Sequence, residues 1–137
     1  MRFRIWLVLW IAGILFPMEF LARVWPSFGR IFNPIFAFDW VHVLMHAFLY
    51  TVLAFLLAQW FAPISRQNVL VLVGLGVLVG CLQESLQILS MHAWTSWPAE
   101  IEDLSVDLAG TLIGIGLARL FIQAKFKGGK KRQVERH

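Results

Sequence analysis

Residues 40–61 read WVHVLMHAFLYTVLAFLLAQWF, twenty-two positions without one Asp, Glu, Lys or Arg. About 20 such residues wound as a helix cross the hydrocarbon core of a bilayer. The flanking sequence repeats the pattern. Residues 69–89 (VLVLVGLGVLVGCLQESLQIL) and 104–122 are two further apolar runs, and residues 5–22 form one ahead of it. The six glycines Gly74, Gly76, Gly80, Gly110, Gly114 and Gly116 do not count against these spans, because membrane helices tolerate glycine. The expected fold is an all-α integral membrane bundle of four transmembrane helices over residues 1–124, followed by a basic tail at 125–137.

Composition points the same way. The 137 residues are 59% hydrophobic with mean hydropathy +0.72. A soluble domain of that size has too little interior to hide so much apolar surface. The net charge of +4 and pI near 9.8 do not indicate nucleic acid, because the basic residues sit at the chain ends and in one short link. Placing the N-terminus inside puts Arg2, Arg4, Arg66, Arg119 and the six basic residues between Lys125 and Arg136 in the cytoplasm, leaving only Arg23 and Arg30 outside. That is the positive-inside arrangement. Trp25, Trp40, Trp94 and Trp97 then mark the outer interface, and Trp6 and Trp60 the inner one. The tail, with Gly128 and Gly129, reads as disordered and in touch with anionic lipid. The expected location is a bacterial cytoplasmic membrane, crossed several times.

The first run resembles a signal peptide only in Arg2 and Arg4. Its length, Pro17, Glu19 and the lack of an A-x-A site argue for a retained helix. Cys81 is the single cysteine, so it reads as a small hydrophobe.

The carboxylates carry the functional signal. Glu19, Asp39, Glu84, Glu100, Glu102, Asp103 and Asp107 fall outside or in the outer half of the membrane, and only Glu135 lies in the tail. An ionised group in hydrocarbon costs about 2.5–3.5 kcal/mol on insertion scales, so such residues persist where they face protein or water. Helical spacing puts three of them, Glu84, Asp103 and Asp107, on shared faces with other polar or small residues. His42, His46 and Tyr50 recur every four residues; Gly76, Gly80, Glu84 and Gln87 form a second stripe; Asp103, Asp107, Gly110 and Gly114 form a third. The glycines allow close backbone approach, which brings the acidic ends together near the histidines. On this reading His46, Glu84, Gln87, Asp103 and Asp107 form one network. The plainer alternative is that the glycines only pack, Asp103 caps the fourth helix, and Glu100 and Glu102 are solvated loop charges.

At these residues the chain resembles the VanZ-like family, named for a teicoplanin-resistance membrane protein. The family pattern is D-K-x-x-H-x-x-x-Y at the start of a membrane helix, then E-x-x-Q, a loop arginine, and D-x-x-x-N-x-x-G-x-x-x-G. His46 to Tyr50 matches the end of the first block, Glu84 to Gln87 the start of the second, and Asp103 to Gly114 its end, with Asp107 where Asn is usual. His42 replaces the Asp of the first block, with Asp39 three residues earlier, and residues 91–102 contain no arginine. The outer cluster is therefore more acidic than the family pattern. The resemblance covers roughly residues 39–114. It implies a small multi-helix membrane protein linked to cell-envelope intermediates or glycopeptide response, without a defined reaction.

Four readings follow. The protein binds or modifies an envelope or lipid-linked component at the outer face. It is a membrane enzyme, with His46 as general base and Glu84 or Asp103 as its partner. It is a proton-linked transporter, although the acids occupy only the outer half and an oligomer would be needed to complete a path. Or it is a structural accessory subunit. The same imidazole and carboxylate set could hold a divalent Mg, Mn or Zn ion, but no cofactor and no metal are expected, because no H-E-x-x-H or comparable motif is present.

Overall fold

A computed structural model describes residues 2–91 and 97–134, and among them every element is a helix. In chain order these are α1 (Arg2–Leu15), α2 (Met18–Val24), α3 (Pro26–Phe36), α4 (Asp39–Ala58), α5 (Arg66–Met91) and α6 (Trp97–Val134). Three stretches are long and apolar enough to cross a membrane: Asp39–Ala58, Arg66–Ser90 and Glu100–Lys125. The first apolar run is not one straight helix. α1 and α2 meet at a bend of 59° and pass the same hydropathy test only when taken together. Pro17 lies at the break. It has no N–H to give, and its ring collides with the carbonyl four residues back.

Much of the outward surface is apolar. Trp6, Leu70, Leu89, Leu120 and Phe121 are all more than half exposed. Such a surface suits hydrocarbon rather than water. The core is a narrow axial seam of Leu7, Ile14, Tyr50, Leu53, Leu57, Leu72, Ile115 and Ala118.

α4 and α6 make the most extensive contact and run parallel, because partners advance together along both helices. His42 meets Asp103, His46 meets Asp107, the Thr51 hydroxyl donates to the Gly110 carbonyl at 3.1 Å, and Phe55 meets Phe121. Glycine makes this approach possible. A Cβ on Gly110 would lie 2.5 Å from the Ala47 carbonyl oxygen, and one on Gly114 would collide with the Thr51 carbonyl oxygen. α5 runs antiparallel to both. Gly76 packs on Thr111, and Gly80 faces Asp107 and Tyr50. α1 lies against α4 in the opposite direction, with the Trp10 indole donating to the Leu49 carbonyl at 3.0 Å and Arg4 over the Trp60 ring.

Two expectations are corrected here. The fourth helix begins at Trp97, seven residues before the expected start at 104, with Pro98 in its first turn. Proline is favoured there, since its missing N–H would lack an intrahelical partner anyway. Asp103 therefore lies well inside α6 and caps nothing. The helix also continues through Gly128 and Gly129 to Val134, so the segment expected to be disordered is helical to that point. Trp94, Glu135 and Arg136 lie outside the described residues.

Candidate functional site

The polar side chains gather at the end of the bundle where α4 and α6 begin. Both helices place two polar residues four apart on the face they share, and the parallel packing brings them into register. His46 Nδ1 lies 2.8 Å from Asp107 Oδ1, with both side chains almost wholly buried (6% and 2% exposed). One turn toward the helix starts, His42 Nε2 lies 3.4 Å from Asp103 Oδ1, and both are half-buried. The two imidazole rings sit 4.5 Å apart between centroids.

α5 supplies the other wall. Tyr50, fully buried, donates its hydroxyl to Gln83 Oε1 at 3.0 Å, and the Gln83 side-chain nitrogen reaches His46 Nε2 at 3.4 Å. Gln87 donates to Glu19 of α2 at 3.3 Å. Thus both nitrogens of His46 are engaged, Nδ1 strongly by a carboxylate and Nε2 weakly by an amide. A carboxylate on one imidazole nitrogen fixes the ring and directs the other nitrogen outward, the orientation required of a general base or a metal ligand.

Outward here means into a cavity of about 120 Å³. His42, His46, Gln83, Gln87 and Glu19 form its polar side. Its apolar side comes from Gly13 to Met18 at the α1–α2 bend, from Met45, Leu49 and Leu86, and from Phe32 and Phe36 of α3. α3 earns this place through its own spacing. Phe28, Phe32 and Phe36 recur every four residues and stack along one face, with centroids 5.3 and 4.2 Å apart. Gly29 lets α3 press against the Ala22 carbonyl of α2. α3 is thus a helix whose aromatic face forms one wall of the cavity.

The residues singled out from the sequence have distinct positions. His42, His46 and Gln87 line the cavity; Asp103 and Asp107 stand behind the histidines; Tyr50 holds Gln83. Glu84 is buried but turned away, toward Glu100 in the first turn of α6, and its Oε1 has no hydrogen-bond partner among the described residues. Glu100, expected as a loop charge, is itself buried, because the helix starts early enough to carry it inward. Glu102 is exposed, as is Asp39 at the start of α4. Direct hydrogen bonds and ion pairs join the expected network only in part: His46 contacts Asp107 and Gln83, His42 contacts Asp103, and Gln87 contacts Glu19, while the His42 and His46 rings lie 4.5 Å apart and Glu84 faces Glu100.

Gln83 and Glu19 belong to the site and were not singled out from the sequence. Gln83 was readable in principle. Gly76, Gly80, Gln83 and Gln87 follow a 4-3-4 spacing, which tracks a helix face better than the 4-4-3 run through Glu84. Glu19 was not readable, because only the bend at Pro17 turns it toward α5.

Carboxylate and imidazole donors are close enough here to take a cation, although none was expected. Candidate ligand atoms of His42, His46 and Asp103 all lie within 4.8 Å of one another. Comparison with family models, with curated proteins and with solved structures finds no match to this chain.

Proposed function

We propose that the chain is a VanZ-like membrane protein with four spans, both termini in the cytoplasm of a bacterial cell, which binds or modifies an envelope or lipid-linked component at the outer face. The bent pair α1–α2 counts as the first span. Support for the orientation comes from the ends of the bundle. Arg4, Trp6, Trp60 and Arg66 gather at one end, whereas the other end carries the carboxylates, with Trp25 and Trp40 exposed near it. Basic residues inside and aromatic belts at both faces follow the usual rule.

The observation that carries the functional reading is the cavity. Its polar wall draws on α2, α4 and α5, and its apolar wall on α1 and α3 together with Met18, Met45, Leu49 and Leu86, so one chamber offers both chemistries. A lipid-linked ligand has the same two parts, a polar head and a hydrocarbon chain. Ligand pockets are generally apolar with a few placed polar groups. Modification is favoured over binding alone by one feature, the Asp107–His46 pair on the chamber wall, which with no cation on the imidazole can accept or return a proton.

Native mass spectrometry of the protein in nanodiscs doped with a polyprenyl phosphate or a polyprenyl-linked sugar tests the reading. Wild-type protein should retain the doped lipid in preference to bulk phospholipid. His46→Ala and Gln87→Ala should abolish that preference. Absence of any preference in the wild type, or a loss that merely follows thermal stability across the variants, would leave the accessory-subunit reading in its place.

A further inference from the structure

We propose that His42, His46 and Asp103 form a binding site for a divalent first-row transition metal, with zinc the best fit, and that Asp107 is its outer carboxylate. The site does not depend on what the cavity holds.

The donor geometry comes first. His42 and His46 stand one turn apart on α4, the spacing at which two imidazoles on one helix face share a metal. Asp103 joins them from α6, because the glycine-mediated contact holds α4 and α6 parallel and in register. The three candidate donor atoms lie within 4.8 Å of one another, and His42 Nε2 and Asp103 Oδ1 are already 3.4 Å apart. Ligands about 2.0–2.1 Å from a tetrahedral zinc are separated by roughly 3.3 Å. One pair thus has the required separation, and the other donor separations are no more than 4.8 Å.

The surroundings of His46 are a second, independent sign. Asp107 engages Nδ1 at 2.8 Å in a site from which solvent is excluded. Metal-bound histidines typically carry such a carboxylate or carbonyl on the nitrogen that does not bind the metal. Nε2 is left with only a 3.4 Å contact to the Gln83 side-chain nitrogen, so a metal there displaces little. Two imidazoles and one carboxylate favour zinc and its neighbours over magnesium or calcium, which prefer all-oxygen shells.

Three protein ligands leave a coordination position open. His42 and His46 both line the cavity, so that position faces the chamber. Charge gives the metal a purpose. Among the described residues no Lys or Arg lines the chamber, and Glu19 is on its wall. A dication would supply the positive centre that a phosphate or carboxylate oxygen needs.

The test uses full-length protein without a polyhistidine tag, purified in detergent, stripped with chelator and titrated with Zn²⁺. One equivalent should bind per chain. His42→Ala, His46→Ala and Asp103→Ala should each lose far more than tenfold in affinity, and Asp107→Asn about 10–100-fold. The other two histidines of the chain, His92 and His137, serve as controls, and their alanine variants should bind as the wild type does. X-ray absorption of the zinc-loaded wild type provides a readout free of folding defects, and should show two imidazoles in the first shell. No stoichiometric binding, binding that follows His92 or His137, or a first shell without two imidazoles would overturn the proposal.

Discussion

Replacing Gly110 with alanine should unlock the bundle at the point where packing and site chemistry meet. The added Cβ would stand 2.5 Å from the Ala47 carbonyl oxygen and 3.1 Å from both the Ala47 carbonyl carbon and Cα. These are backbone atoms of a helix, so no rotamer change can relieve the contact. Ordinary contact begins near 3.4 Å, so α4 and α6 must part by roughly 0.9 Å at this level (3.4 less 2.5). Ala47 follows His46 in α4, and Gly110 is one turn beyond Asp107 in α6. The same displacement would carry the 2.8 Å His46–Asp107 bond and the 3.1 Å bond from Thr51 to the Gly110 carbonyl past hydrogen-bonding distance. Overpacking of this kind costs about 1–3 kcal/mol, a shift of roughly 5–150-fold in the unfolding equilibrium.

Gly116 is the internal control. A Cβ there meets nothing within 4 Å, although the residue lies on the same helix six positions on. Gly116→Ala should be neutral or slightly stabilising, since alanine favours a helix more than glycine does. Unfolding in mixed micelles with increasing sodium dodecyl sulfate, followed by tryptophan fluorescence, compares the two directly. A Gly110→Ala protein as stable as wild type, or a Gly116→Ala protein equally weakened, would refute the packing on which the site depends.

Asp107→Ala removes the partner of a His46 nitrogen buried in the bundle and should cost about 1–3 kcal/mol in the same unfolding assay, whereas Asp107→Asn keeps an acceptor at Oδ1 and should cost less. Equal losses for the two would show that the hydrogen bond does not matter. Trp10→Phe keeps the ring but deletes the 3.0 Å bond to the Leu49 carbonyl, for a loss of about 0.5–1.5 kcal/mol; no change would mean that α1 is not anchored there. Cys81 is exposed on the bundle surface, and with four spans it faces lipid, out of reach of a reagent confined to water. A membrane-impermeant maleimide should therefore leave Cys81 untouched in intact membranes and label a Ser27→Cys variant of α3. Labelling of Cys81 at a comparable rate would place that face of α5 in water.

Much of this was visible in the sequence because the bilayer imposes a simple rule. Residues 40–61 and 69–89 match α4 and α5 to within a few positions, since runs of uncharged residues leave a helix few other places to end. The three polar stripes likewise put His46, Asp107, Gly110 and Gly114 on inward faces. What could not be read was geometry set by a neighbouring element. Pro17 was recognisable as an interruption, but not the 59° turn that lines the chamber with residues 13–18 and brings Glu19 to Gln87. Glu84 looked equivalent to Asp107 by spacing. The early start of α6 instead placed Glu100 beside it and drew it off the chamber.

The pairing of histidines with aspartates follows from helix direction more than from the residues themselves. α4 and α6 are separated in sequence by α5, so two reversals make them parallel. A four-residue repeat on one then meets a four-residue repeat on the other at equal steps, and two Asp–His pairs result, 103 with 42 and 107 with 46. In an antiparallel pair the same repeats would match only by crossing partners. The glycines at 110 and 114 extend the same repeat deeper along α6 and let the backbones come close enough for short side chains to touch. Aspartate reaches histidine here because no Cβ holds the helices apart; lengthening both acids to glutamate would overfill the gap rather than restore contact across a wider one. A double substitution therefore separates distance from chemistry. Gly110→Ala should weaken Zn²⁺ binding through the displaced Asp103 and Asp107, and adding Asp103→Glu should recover part of that affinity while leaving stability low. Recovery of neither would mean that the metal donors are not set by the α4–α6 spacing.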